Sequence, residues 1–396
     1  MLGHSTSRDI VVRPPHKPLN EAGILHLAGD MGAHGQARAT VDIARAAAKA
    51  GARSVLASAG GELVAEARIG GVDHAEIARP TANPFKSVSL SRHLDRLIKA
   101  HEIDILHICD PRFAGPALKA ARKAGIVTVA TLAEPPLRGG WLNSLTGRGI
   151  GKVDHIVAIS DFAARRLRGA GIGSDEQTTV IPRGIDLARF NAAAVKAQRL
   201  IGLARRYHLP DDMKIVLAAG RVAPHNGYEL LIDALAKLNR DDVYCLILGA
   251  EDGDGSHARK IEHKIEAAGL GGRVRLGGRC DDMAAAYMLA DLVVCPAAEP
   301  KAFGRACVEA QAMGRPVIAA DHGGAGEIIT PEETGWLVAP GHVGALAEAV
   351  ERALLLDADA RRGMALATRA HVTERFALDR MCERTLALYE RLLAQG

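Results

Sequence analysis

Two cationic side chains, Arg221 and Lys301, stand where loops between apolar runs would place them and suit a phosphorylated ligand, and a carboxylate, Glu309, lies on the helix that follows one of those loops. Arg221 directly follows the run KIVLAAG (214–220) and opens the turn GRVAPHNG (220–227). A guanidinium at that point can clamp a diphosphate through paired hydrogen bonds, and it can equally be a plain surface charge at a strand end. Lys301 and Glu309 belong to EPKAFGRACVEAQAMGRPVIAADHGGAGE (299–327), whose pattern predicts a loop, a short helix, a buried strand and a glycine turn. Phe303-Gly304 precede the helix; Ala306, Ala310 and Met313 share one of its faces; Gly314 and Pro316 end it. The free amides from about Gly304 to Ala306 make an anion site at the helix start. Glu309 lies further in, on an otherwise apolar helix, and a carboxylate there needs a partner. Sugar hydroxyls would serve, and so would Arg305, four residues earlier.

A further loop, GDMGAHGQ (29–36), has the spacing G-x-x-G-x-x-G, with Gly32 and Gly35 in its second and third places. Glycines between a strand and a helix let backbone amides approach a phosphate, or simply make a tight turn. The dinucleotide spacing G-x-G-x-x-G is absent, which disfavours a nicotinamide dehydrogenase. No HExxH, GxSxG or GxxxxGK[ST] occurs. EDGDGS (251–256) holds an Asp-x-Asp pair but lacks a calcium loop's downstream glutamate, so a solvated turn is expected and no metal.

These loops need a scaffold of alternating strands and helices. GILHLAG, RSVLASAG, IDILHICD (103–110), IVTVATL (126–132), HIVAIS (155–160) and TTVIPRGID (178–186) read as strands of a first half, with helical stretches between several of them. KIVLAAG, VYCLILG (243–249), RVRLGG, LVVCPA and PVIAAD read as strands of a second. Helical periodicity runs over 191–210, and over 342–355, 358–370 and 376–394 at the end. Short apolar strands alternating with helices predict parallel sheets and right-handed crossovers, hence two doubly wound α/β halves facing across a cleft. In such folds ligands sit at the carboxyl ends of the strands.

With 396 residues, the chain is long enough for two domains, and at 48% apolar it is globular. A net charge of +4 leaves no nucleic-acid footprint. Residues 1–190 carry 25 lysines and arginines against 18 acids, and residues 191–396 carry 25 against 28. A basic first half can meet an anionic membrane through Arg92, Arg96 and Lys99, or through Arg165, Arg166 and Arg168; ordinary solvated faces would look the same. The six cysteines form no CxxC pair and read as small core residues in a reducing compartment. No run is long and apolar enough to span a membrane.

From about residue 23 onward the chain resembles the retaining glycosyltransferases of family four, bacterial members that build cell-envelope polysaccharide in particular. The resemblance is carried by VIPRGIDLARF (180–190), AFGRACVEAQAMGRPVIAADHGG (302–324), TGWLVAPG (334–341) and the closing ERFALDRMCERTLALY. It implies the two-domain GT-B fold: a tail over 1–20, an acceptor-side Rossmann-like domain over 21–190, a linker over 191–212, a nucleotide-sugar domain over 213–372, and a C-terminal helix over 373–396 that packs back on the first domain. It also implies a nucleotide-diphosphate sugar donor, a glycan or lipid-linked acceptor, transfer with retention, no metal and no other cofactor. The implied location is cytoplasmic, peripheral at the inner membrane face if the basic helices dock there. Carried over by position, Arg221 is the phosphate arginine and Glu309 the ribose carboxylate. The Phe303-Gly304-Arg305 backbone lies against sugar and phosphates, Gly32 and Gly35 fall in the N-terminal glycine loop, and the backbone near Arg279-Cys280 meets the base.

Several positions depart from the family pattern. The phosphate lysine is Asn226, the acid eight residues before the ribose carboxylate is Lys301, the active-site histidine falls near Ala133, and a glutamate of close relatives falls near Ala37. One implication is compensation, the cation lost at 226 returning at 301. The other is decay to a catalytically impaired binder or scaffold, unless His225, Glu299 or Glu134 substitutes.

Overall fold

The computed structural model describes residues 17–32, 34–79, 83–133, 149–251 and 253–395. The chain divides into two compact units, Met1–Ile181 with Met381–Gly396, and Pro182–Arg380. Unit 1 is built on seven parallel strands: β1 (Gly23–Leu27), β2 (Arg53–Ser58), β3 (Asp73–Glu76), β4 (Ile103–Ile108), β5 (Val127–Leu132), β6 (His155–Ala158) and β7 (Thr178–Val180). Their order is β3-β2-β1-β4-β5-β6-β7. Unit 2 has six: β8 (Lys214–Ala219), β9 (Val243–Leu248), β10 (Val274–Gly278), β11 (Leu292–Cys295), β12 (Val317–Ala320) and β13 (Gly335–Val338), in the order β10-β9-β8-β11-β12-β13. Every pairing in unit 2 is also parallel.

Each sheet is buried on both faces, which explains why its strands read as continuous apolar runs. In unit 2, Val216, Cys245 and Ile247 face one core with Leu231, Ile261 and Val350, while Leu217, Leu246 and Val293 face another with Tyr287, Val308 and Met313. The strand order reverses direction between β1 and β4 in unit 1 and between β8 and β11 in unit 2. Such points leave a crevice at the carboxyl ends of the two central strands.

The structure differs from the sequence expectation in several places. TTVIPRGID joins the sheet as a strand only over Thr178–Val180, because Pro182 has no amide to donate to a ladder, and Ile185 beyond it bridges Ala377 instead. The short strands β3 and β13 are additional. β3 (DHAE) is half-exposed at the sheet edge and carries no apolar alternation to mark it. The helix expected over 191–210 is shorter, Ala197–Tyr207, after a 3-10 turn at Ala192–Ala194. Of the tail expected over 1–20, residues 1–16 lie outside the described residues. From Lys17 the chain is tied down, with Lys17 Nζ 2.9 Å from Asp104 Oδ2 and Leu19 buried.

A polar island holds the last helix, Leu378–Ala394, within unit 1 from Met381 onward. His26 on β1 stands opposite His107 on β4, and both are fully buried. His107 Nδ1 shares a 2.6 Å hydrogen bond with the Tyr389 hydroxyl, and its Nε2 a 2.7 Å bond with Thr131 Oγ1. Arg384 donates to the Val180 carbonyl at 2.6 Å, and Cys382 Sγ to the Asp42 carbonyl at 3.8 Å. His26 lies 5.8 Å from His107 between ring centroids, and neither of its ring nitrogens has a partner among the described residues. Burial pulls the His107 imidazole down to about 4, and burial with the neighbouring His107 pulls His26 well below 6.5.

Both imidazoles are therefore neutral in the folded chain, whereas in the unfolded chain they protonate near 6.5. Below that pH the unfolded state binds more protons, so stability falls as pH drops from 6.5 toward about 4 and is fully present above 6.5. Thermal midpoints measured across this window should decline; a flat profile would contradict the burial of a neutral pair. Tyr389→Phe should cost about 1–3 kcal/mol at neutral pH, read by urea titration, because it strands a buried ring nitrogen.

Candidate functional site

The carboxyl ends of β8 and β11 bring Arg221, Asn226, Lys301 and the start of the helix Arg305–Ala312 into one part of unit 2. After β8 the chain turns through Gly220 and Arg221 into a 3-10 turn, Pro224–Asn226, and then Gly227. Gly227 has φ +72°, and a Cβ there would lie 2.0 Å from the Pro296 carbonyl oxygen, so the turn fits against the segment after β11 only without a side chain. Asn226 is 6% exposed and works in two directions. Its Nδ2 donates to the Arg221 carbonyl at 2.5 Å, and its Oδ1 accepts from Lys301 Nζ. One amide thus ties the loop after β8 to the loop after β11.

The turn His322-Gly323-Gly324 after β12 supports Lys301 from behind. Gly323 has φ +67°, a Cβ on it would stand 2.3 Å from the Lys301 carbonyl oxygen, and the Gly324 amide donates to that oxygen at 2.8 Å. Lys301 is half-buried, and no carboxylate among the described residues lies within ion-pair distance of it. Burial pulls its ammonium below the usual lysine range, and the charge of Arg221 acts in the same direction. Arg221 itself is exposed. The result is a concentration of positive charge whose one side-chain partner on the lysine is a neutral amide.

The helix Arg305–Ala312 begins at Gly304, which has no side chain to cap it, so its first-turn amides add to that field. Glu309 is 7% exposed and already engaged. Arg305 Nε lies 2.6 Å from Oε1, and the buried Tyr287 hydroxyl donates to Oε2 at 3.0 Å. Burial, with the Glu309 charge beside it, raises the Tyr287 hydroxyl well above the usual phenol range, so it remains a donor. A carboxylate offers about four lone-pair sites, so two acceptor positions on Glu309 remain for other donors. The Phe303 ring packs edge-on against Phe376, with centroids 5.9 Å apart, which leaves the backbone of that segment as its polar surface.

Other expected positions stand apart. Arg279 and Cys280 follow β10 at the sheet edge, two strands from β8. Arg279 Nε pairs with Asp281 Oδ1 at 3.1 Å, and Cys280 packs half-buried on the core. Gly32 and Gly35 belong to unit 1, Gly32 in the loop after β1 and Gly35 at the first position of the helix that follows. There the Gly32 amide donates to Asp30 Oδ1 at 2.8 Å, and His34 Nδ1 accepts from the Ala37 amide at 3.2 Å. His34 thus caps the helix Gly35–Lys49 and takes an amide that an anion would use. Ala133 is half-buried just after β5, and Glu134 lies outside the described residues. The ligand atoms of His26, His107 and Cys109 lie within 4.8 Å of one another, but His107 has both ring nitrogens in hydrogen bonds and the group serves as core packing. The roles of Tyr287 and of Asn226 as a bracket had no signal in the sequence; AAAYML reads as ordinary apolar helix.

Residues 203–371 match the family model described as glycosyl transferases group 1, and residues 33–189 the model described as glycosyltransferase family 4. The chain is 30% identical over 307 residues to a phosphatidyl-myo-inositol mannosyltransferase of Mycobacterium leprae, covering 74% of this chain and 75% of that protein. It is 33% identical over 258 residues to a D-inositol 3-phosphate glycosyltransferase of Salinispora tropica, covering 62% of this chain but only about half, 52%, of that relative's length. Among solved structures it resembles a glycosyltransferase from Rickettsia africae ESF-5, with TM-score 0.85 and 26% identity over 95% of this chain and all of that one, 100%. Anabaena HepE in complex with UDP and glucose has the same fold, with TM-score 0.81 and 22% identity, covering 92% of this chain and 98% of that one. The chain belongs to the glycosyltransferases, and its fold is GT-B.

The turn at Gly227 gives a direct check on how tightly the site is built. Gly227→Ala should lower stability by more than about 1 kcal/mol, since both the positive φ and the contact with Pro296 oppose a side chain. Denaturant titration reads this; an unchanged midpoint would mean that the turn has slack.

Proposed function

We propose that the protein transfers a hexose-like sugar from a nucleotide-diphosphate donor to a glycan or lipid-linked acceptor, with retention of configuration. The observation that carries this reading is Lys301: a half-buried ammonium held by the neutral Asn226, beside Arg221 and uncapped helix amides, with no carboxylate partner among the described residues. An ammonium held only by a neutral amide suits an anionic ligand, and the switch point between β8 and β11 is where this fold class binds one. When the bond from sugar to diphosphate breaks, negative charge grows on the departing phosphate. Lys301, Arg221 and the amides of Arg305 and Ala306 are preorganised to stabilise it, so the reading calls for no metal. The open acceptor positions of Glu309 suit the donor ribose hydroxyls. In this reading Asn226 and Lys301 form one unit, the lysine supplying the phosphate charge and the asparagine aiming it. Mannosyl- and inositol-directed transferases among the relatives support a sugar donor and a polyol or lipid acceptor, and a cytoplasmic protein is consistent with such donors.

One observation favours a second reading. The pair between Arg305 and Glu309 is complete without a ligand, which suits a protein that binds nucleotide or glycan yet transfers nothing. Calorimetric titration with UDP, GDP and ADP, followed by turnover of the matching sugars, separates the two. Binding with turnover supports the transferase, binding without turnover supports the impaired relative, and no binding of any diphosphate overturns both.

Lys301→Ala should reduce kcat/KM about 10²–10³-fold, as for loss of one preorganised charge-stabilising group. The double change N226K with K301E should recover most of the donor affinity that K301E alone removes. If the two single variants lose affinity independently and additively, the positions are not coupled.

A further inference from the structure

Two of the six cysteines meet beside the candidate donor site. Cys295 is the last residue of β11, and Cys307 lies in the first turn of the helix Arg305–Ala312, which packs on that strand. Cys307 is buried in the core with Leu217, Val293 and Val308, and half-buried Cys295 packs against the same cluster. Both thiols are free of disulfides, and they share a hydrogen bond, Cys307 donating and Cys295 accepting. The Lys301 ammonium is near enough to act on both sulfurs. Among the described residues no histidine or carboxylate joins the two sulfurs in a group that could hold a metal ion.

The two thiols are unequal. The hydrogen bond from Cys307 draws Cys295 below the usual thiol range; burial opposes this, and the Lys301 charge adds to it. The same bond, with burial, pushes Cys307 well above that range. A thiol that ionises readily, half-buried and facing a second thiol, has the makings of an attacking cysteine with a resolving partner. Cys245 on β9 is the contrast: it is fully buried and pushed up to about 12 by burial alone.

We propose that Cys295 and Cys307 are a dithiol that a hydroperoxide converts to a disulfide. The Cys295 thiolate attacks one peroxide oxygen, the O–O bond breaks, and hydroxide leaves and takes up the thiol's proton as water. Cys295 is then a sulfenic acid. The Cys307 sulfur attacks the Cys295 sulfur, the S–S bond forms, the S–O bond breaks, and the hydroxyl leaves with the Cys307 proton as a second water. The sulfurs are oxidised by one electron each, and the peroxide is reduced. A link here joins the helix start to the strand end that precedes Pro296, whose carbonyl meets the Gly227 turn. It also moves the sulfur against which Gly304 packs, since a Cβ on Gly304 would stand 3.2 Å from Cys307 Sγ. Oxidation therefore shifts the first-turn amides and weakens the anion site. That consequence rests on the donor-site reading of Lys301, Arg221 and those amides; the thiol chemistry does not.

The test treats the full chain with hydrogen peroxide and reads intact mass and peptide maps without reductant. The wild type should lose one hydrogen from each thiol, with the link mapped to Cys295 and Cys307, and dithiothreitol should reverse it. C307S should instead hold a sulfenic acid at Cys295, trapped by dimedone, because the resolving thiol is gone. C295S should form no link. A wild type that keeps both thiols, or a folded C307S chain that traps no dimedone, overturns the proposal. The wild-type reading needs no variant, so a C307S chain that folds poorly leaves the test intact. Titration with inorganic pyrophosphate reads the consequence: the oxidised chain should bind it about 5–150-fold more weakly than the reduced one, and C295S equally before and after peroxide. Equal binding by reduced and oxidised wild type overturns the effect on the site. No binding by the reduced chain counts against the donor-site reading, while the mass result still decides the thiol chemistry.

Discussion

The candidate donor site depends on one side-chain amide. Asn226 donates to the backbone after β8 and accepts from the ammonium that follows β11, so two loops on neighbouring strands share a single fixed point. An amide is suited to this because it carries a donor and an acceptor on one planar group. A lysine at 226 could supply charge but could not accept from Lys301. A carboxylate at 226 could accept but would neutralise the charge that it positions. The arrangement keeps the cation both oriented and unpaired, which a phosphate-binding site requires.

The surrounding fold makes that arrangement affordable. Parallel strands order the carboxyl ends of β8, β11 and β12 side by side, and glycines at 227 and 323 let the intervening turns approach to backbone contact. Glu309 is buried on the next helix, where an unpaired charge would be costly, and Arg305 and Tyr287 satisfy it from two sides. Positive and negative groups therefore sit close together without cancelling: the negative one is spoken for, and the positive one is open.

Much of this was legible in the sequence. The apolar runs located eleven of the thirteen strands because buried parallel strands have no polar face, and for the same reason the half-exposed β3 went unseen. Gly304 and Arg221 could be placed at element ends from punctuation alone, and Glu309 inside the helix that Gly304 opens. The i−4 spacing already offered Arg305 as the partner of Glu309. The contacts that make the site are different in kind. Lys301 and Asn226 are 75 residues apart, and Tyr287 and Glu309 are 22 apart. No local rule connects such pairs, since they meet only through strand order. The substitution pattern hinted that 226 and 301 were related, but not that they touch.

The polar island around His107 has a consequence for how the molecule is made. Unit 1 is discontinuous, and the segment carrying Tyr389 follows nearly two hundred residues of unit 2 in the order of synthesis. Until that segment arrives, the imidazole and the apolar face of the first sheet beside it have no cover. The nascent first unit must therefore wait, partly open, while the second is built, and its closure comes only once the helix Leu378–Ala394 has been made.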